Sequence, residues 1–199
     1  PMTITGNTNL YLCDLTDAQR PQVDAILQKH SVPHADGMTA TRRVGHACVA
    51  LPTCGLSLSE SERVFTGVLD SIDQILHELN LASDPILIRM TGCPNGCARP
   101  YNADIGFVGR APNKYAMFVG GSVRGDRLAG LEKKVVNLAD IPNEVRPLLT
   151  DYAQNRHAGE TFTDFWGRTR TNGEAPTPEQ FHIEFAERAA AQATPVESE

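Results

Sequence analysis

Four cysteines in two tight pairs constrain this chain more than anything else in it: Cys48-Val-Ala-Leu-Pro-Thr-Cys54 and Cys93-Pro-Asn-Gly-Cys97. Five residues lie inside the first pair, three inside the second and thirty-eight between them, which is room for a helix and a strand. Thiolates gathered from two separate loops are the usual means of holding a tetrahedral metal centre or an iron–sulfur cluster. In Thr91-Gly92-Cys93-Pro94-Asn95-Gly96-Cys97, two glycines and a proline confine the backbone to a tight turn and let N–H groups approach whatever the sulfurs bind. Such donors raise a cluster's reduction potential. A structural zinc site favours two to four residues between paired ligands, so the spacing of five argues against zinc. Disulfides and redox thiols are the other readings that the spacing leaves open.

The chain has 199 residues, enough for one domain or one and a half with a sizeable core. With 41% hydrophobic and 21% charged residues it has the composition of a soluble globular protein. No run approaches the length of a membrane span and no basic-then-apolar leader opens the chain, so no membrane partner and a cytoplasmic location are expected. Cysteines in a reducing compartment serve metals better than disulfides. The fifth, Cys13, follows the apolar run Leu10-Tyr-Leu and reads as an inert buried thiol. A net charge of −6 argues against nucleic acid. Its distribution is uneven: between Pro85 and Gly125, Arg89, Arg99, Arg110, Lys114 and Arg124 face only Asp104, a local +4 around the second cysteine loop that suggests an anionic ligand.

Along the chain, Thr8 to Leu12 reads as a strand, and Thr16-Asp-Ala-Gln19 as a capping box for a helix with Val23, Ile26 and Leu27 on its apolar face. One strand and one helix make no core alone, so residues 1–40 should complete a domain whose other elements lie elsewhere or pack on the body of this one. Arg43 to Leu51 reads as an extended segment delivering Cys48 and Cys54 to one end of a sheet. A long amphipathic helix follows, capped at Ser57 or Ser59, with Val64, Phe65, Val68, Leu69, Ile72, Ile75, Leu76 and Leu79 on its core face. Ile86–Met90 is a short buried strand that ends at the second cysteine loop. Residues 103–109 and 115–120 form a hairpin, Asp140 caps a helix to about Asn155, and 163–168 adds a helical turn. A capping box at Thr177-Pro-Glu-Gln180 starts a last helix. A disordered tail is expected over 189–199.

The residues 47–121 resemble the C-terminal catalytic module of the sulfite and nitrite reductase haemoprotein family. The carriers are Ala47-Cys48-Val-Ala-Leu-Pro-Thr-Cys54, Thr91-Gly-Cys93-Pro-Asn95-Gly-Cys97 and Gly106-Phe-Val-Gly-Arg-Ala-Pro112. Their order and spacing are highly specific, and a weaker likeness runs from Asn9 to Phe165. The resemblance implies an α+β fold with a mixed sheet flanked by helices over 41–188, preceded over 1–40 by part of a ferredoxin-like repeat. It implies that Cys48, Cys54, Cys93 and Cys97 hold a [4Fe–4S] cluster, that Cys97 also ligates the iron of a sirohaem, and that Arg42, Asn95 and Arg99 help to bind that haem's carboxylates. The implied activity is six-electron reduction of sulfite to sulfide, fed by a flavoprotein using NADPH or by a ferredoxin. The segment from Gly159-Glu160 to Phe165 leans to the bacterial NADPH-linked branch. Family enzymes are two to three times longer, with much of the sulfite and sirohaem site in an N-terminal half that this chain lacks. The 199 residues alone are therefore expected not to turn over. A stand-alone iron–sulfur electron carrier, or a ferredoxin-dependent nitrite or sulfite reductase, is the alternative.

Overall fold

The computed structural model describes residues 1–6, 9–32 and 35–170; the helix expected from Thr177 and the tail expected over 189–199 lie outside the described residues. The chain opens with an antiparallel hairpin, β1 (Met2–Ile4) and β2 (Leu10–Leu12), followed by α1 (Arg20–Lys29). The Gln19 side-chain carbonyl accepts the Thr16 N–H at 2.9 Å, one half of the expected capping box. None of these elements buries a residue, and Ile26 is 58% exposed. They form a small sheet separate from the main one.

The main sheet has the order β3 (His46–Ala47), β4 (Ile88–Thr91), β5 (Ile105–Ala111), β6 (Lys114–Val119), β7 (Gly130–Asn137). β3, β4 and β5 run parallel, while β6 and β7 return antiparallel. Between β3 and β4 the chain crosses over through α3 (Glu62–Glu78), which buries Phe65, Val68, Leu69, Ile72, Ile75 and Leu76, the stripe its three- and four-residue spacing predicts. These pack with Ile88, Met90, Ile105, Phe107, Met117 and Val119 from one face of the sheet. α4 (Ile141–Asn155) adds Ile141, Val145, Leu149 and Tyr152 to that core, and α5 (Phe162–Arg170) adds Phe162, Phe165 and Trp166. The architecture is the expected mixed sheet flanked by helices. No helix among the described residues is long and apolar enough to cross a membrane.

Three local expectations are corrected. The extended segment expected from Arg43 to Leu51 is only two residues of strand, because Arg42 and Arg43 belong to a short helix, α2 (Ala40–Val44), whose Thr39 cap accepts the Arg42 N–H at 3.1 Å. The cap of α3 falls at Ser61 rather than Ser57 or Ser59, since the Ser57 hydroxyl donates to Ser59 O at 2.7 Å and the Ser61 hydroxyl to Met90 O at 2.8 Å. Finally, the edge strand β7 has no counterpart in the pattern reading.

The C-terminus of α3 is closed by a Schellman arrangement: Leu81 N–H donates to Leu76 O, Asn80 N–H donates to His77 O, and Asn80 takes φ +58°. Asn tolerates that left-handed conformation better than other residues with a Cβ, and Gly better still. Asn80→Ala should therefore cost about 1 kcal/mol in urea unfolding, while Asn80→Gly stays within a few tenths. Equal losses for both would refute the backbone explanation.

Candidate metal-cluster site

Because β3 and β4 are parallel neighbours, the chain leaves both at the same end of the sheet, and both cysteine loops begin there. Cys48 follows Ala47, whose register partner is Met90, and its N–H donates to Met90 O at 3.1 Å. Its sulfur accepts from the Thr91 hydroxyl and the Gly92 N–H, each at 3.3 Å. Two donors are thus directed at one sulfur, the arrangement that orients a cysteine used as a metal ligand. The loops are fastened to each other on the far side as well, where Gly92 O accepts from Leu58 N–H at 2.9 Å and Ser59 N–H at 3.0 Å.

The first loop folds back on itself: Ala50 has φ +45° and its carbonyl accepts the Cys54 N–H at 2.7 Å. Arg63, in the first turn of α3, holds it there, donating to Leu51 O at 2.8 Å, Val49 O at 3.3 Å and Thr53 Oγ1 at 3.1 Å. Three bonds from one guanidinium fix the stretch between Cys48 and Cys54 against a rigid helix. Nothing in the sequence singles Arg63 out, because its acceptors are mainly backbone carbonyls.

In the second loop Gly96 N–H donates to Cys93 O, Gly96 takes φ +67°, and the Tyr101 hydroxyl donates to Pro94 O at 3.2 Å. Cys93 is buried, Cys48 and Cys54 are half-buried, and Cys97 is exposed. Asn95 and Arg99 are exposed on the same short stretch as Cys97, so the second loop offers a thiol, an amide and a guanidinium to whatever lies outside. Arg42 is placed differently. Its guanidinium pairs with Asp73 at 2.6 Å and Asp70 at 2.5 Å on α3, so its charge is met within the protein and it braces α2. Those bonds oppose the effect of burial and hold its pKa above the ordinary value.

Beneath the loops sits a pair of basic side chains that sequence reading counted only as local charge or passed over. Arg89, opposite His46 in the β3–β4 register, is 4% exposed and donates from Nη1 to Arg99 O at 3.3 Å. Burial, then the neighbouring guanidiniums of Arg89 and Arg99, lower the pKa of His46. Burial and Arg99 lower that of Arg89 as well.

The donor set fits an iron–sulfur cluster: four cysteines on two loops, with N–H and O–H donors already directed at one sulfur. Among the described residues no group of three or more His, Cys, Asp or Glu side chains is already placed to hold a metal ion.

Fold and site together define a mixed-sheet module that presents paired cysteine loops from the ends of adjacent parallel strands. No family model matches the chain. Its sequence is 41% identical over 181 residues to the sulfite reductase [NADPH] haemoprotein beta-component of Chromohalobacter salexigens, covering 91% of this chain and 31% of that one. It is 42% identical over 162 residues to the protein of the same name from Bacillus subtilis, covering 81% and 28%. In structure it is similar to the NirA protein of Mycobacterium tuberculosis, with a TM-score of 0.74 at 22% identity over 86% of this chain and 33% of that one. Over most of its length the chain is thus similar to sulfite reductase haemoprotein beta-components, and it spans about three tenths of the length of the curated relatives it matches.

Proposed function

We propose that this chain is the cluster-bearing part of a sirohaem-dependent sulfite reductase, an enzyme that reduces sulfite to sulfide with six electrons drawn from an NADPH-linked flavoprotein. The observation that carries the reading is the junction of the two cysteine loops at one sheet end, with Thr91 and Gly92 both donating to the Cys48 sulfur. Cys48, Cys54, Cys93 and Cys97 hold a [4Fe–4S] cluster. Exposed Cys97 is also the thiolate that faces a sirohaem, with Asn95 and Arg99 beside it for the macrocycle's carboxylates. Cluster and haem supply the stored electrons and the site of sulfite binding. The chain's own residues keep the cysteines in place: Arg63 locks the first loop to α3, Tyr101 supports the second, and the donors on Cys48 fix the position of its sulfur. Arg42 acts through α2 rather than on the haem. Such a protein works in a reducing cytoplasm, where its cysteines are kept from forming disulfides and stay available to metal.

The longer relatives supply further chain around such a module, so the 199 residues alone are expected to assemble a cluster without turning over sulfite. Anaerobic reconstitution with iron, sulfide and sirohaem tests both statements. The expected result is the broad absorption of a cluster and no sulfide production from reduced methyl viologen. In a full-length relative, serine at the position of Cys97 should remove the electronic coupling of cluster and haem, seen as a lost perturbation of the haem spectrum, as well as activity. Serine at a cluster-only position that still assembles should do less. Failure to take up iron with all four cysteines reduced would sink the cluster assignment, and near-normal sulfite turnover after the Cys97 change would sink the bridging role.

A further inference from the structure

At the opposite end of the sheet from the cysteine loops, where β4 and β5 begin, lies a cavity of about 530 Å³ whose lining the proposed reaction does not use. Three arginines line it from three separate pieces of structure: Arg43 of α2, Arg89 of β4 and Arg124 of the turn after β6. Arg89 is the telling one. It is 4% exposed, and its Nε is buried with no hydrogen-bond partner. A buried cation without a full set of partners is costly, and such a group lining a cavity marks where an anion would compensate it.

Two carboxylates also line the cavity, and both are committed to the protein. Asp104 accepts the Leu87 N–H at 2.7 Å and the Thr163 hydroxyl, and Asp164 accepts the Thr161 hydroxyl at 2.7 Å. The Arg124 guanidinium makes a solvent-exposed contact with Asp126, at 3.5 Å, which is worth little. Val44, Pro85, Leu87 and Val123 add apolar surface to a lining that also carries Asn9, Ser122, Thr161 and Thr163. The volume is in the range of pockets for organic ligands and far exceeds what one tetrahedral oxyanion fills. Planar guanidinium forks set around it match carboxylates in bidentate geometry.

We propose that this cavity is a binding site for an organic polycarboxylate, with Arg89 at its floor, Arg43 and Arg124 on its walls and the ligand's carbon frame against Val44, Pro85 and Val123. It goes beyond the sulfite-reducing reading and does not depend on it.

The test is calorimetric titration of the 199-residue protein, without reconstitution, with citrate and separately with inorganic phosphate, at low and high salt. Citrate should bind with one-to-one stoichiometry, about tenfold more tightly than phosphate, and should weaken with salt because charge pairing carries the affinity. Arg43→Ala combined with Arg124→Ala, both outside the core, should weaken citrate about tenfold or more while leaving the unfolding midpoint unchanged. Arg89→Met should abolish binding where it folds, and the surface pair keeps the test decisive where it does not. No saturable citrate binding at low millimolar concentration, phosphate binding as tightly as citrate, or a double variant that binds citrate like the parent would each overturn the proposal.

Discussion

Gly92→Ala should unfold the cysteine site, lowering stability by about 3 kcal/mol and abolishing iron uptake on reconstitution. A Cβ at position 92 would stand 1.9 Å from Ser57 Oγ, 2.6 Å from Ala50 Cβ and 2.7 Å from Ser59 O. The serine hydroxyl could rotate away, but the Ala50 Cβ has no rotamer to escape into and the Ser59 carbonyl is backbone, so both move only with the first cysteine loop and its exit. Moving them breaks the bonds that Leu58 and Ser59 make to Gly92 O and shifts the Gly92 N–H off the Cys48 sulfur. Gly109 is a second probe of the same contact, because its Cβ would lie 2.2 Å from Gly92 O. Gly109→Ala should therefore resemble Gly92→Ala in both urea midpoint and iron content. Gly55→Ala, where nothing lies within 4 Å, should be near neutral. A Gly92→Ala protein with parental stability and full iron content would show that the loops need no such close approach.

The pairing of those loops illustrates what the sequence made legible. Cysteine spacing, the apolar stripe of α3 and the short run ending at Met90 are local patterns, and they place two loops after two buried strands. The supporting bonds are not local. Arg42 finds Asp70 and Asp73, 28 and 31 residues further along, and through them braces α2 against α3. Arg63 reaches backbone carbonyls, which carry no sequence signal. β7 was hidden because it is an edge strand whose pattern is dominated by Glu132, Lys133 and Lys134, and of its residues only Val136 is buried. Lys133 meets Glu144 of α4, so charge rather than apolar alternation ties its outer part down. Arg89 looked like any surface cation, and only the register that sets it opposite His46, in the interior of a five-stranded sheet, shows it to be buried. The small sheet of β1 and β2 with α1 buries no residue, in keeping with the expectation that so few elements make no core alone, and it leaves Met2, Ile4, Leu10 and Tyr11 exposed.

Asp104→Asn should stabilise the protein at neutral pH by about 3 kcal/mol, and the gain should vanish in acid. Asp104 is among the buried polar residues, and burial pushes its pKa from 3.8 up to about 6, against the opposing pull of the Thr163 and Leu87 hydrogen bonds and the charge of Arg127. Asp164 pushes in the same direction as burial, while Arg89 and Tyr152 are the other titratable groups that sense it. Because the folded value lies above the unfolded one, the native state binds the proton more tightly between those two pH values. Stability therefore falls as pH rises from about 4 to 6, and the full cost, about 3 kcal/mol, is present above that window. Asparagine carries no charge to desolvate, and it can keep the local bonds: its carbonyl accepts from Leu87 N–H, and its amide donates to the Thr163 hydroxyl, which already lies 3.2 Å from Gly121 O as an alternative acceptor. Urea unfolding of parent and variant should thus converge near pH 4, separate as pH rises to about 6 and stay apart by a constant amount above it. A variant that is less stable than the parent at pH 7, or a difference that does not change with pH, would mean that Asp104 is held as a paired carboxylate and that its burial costs the fold nothing.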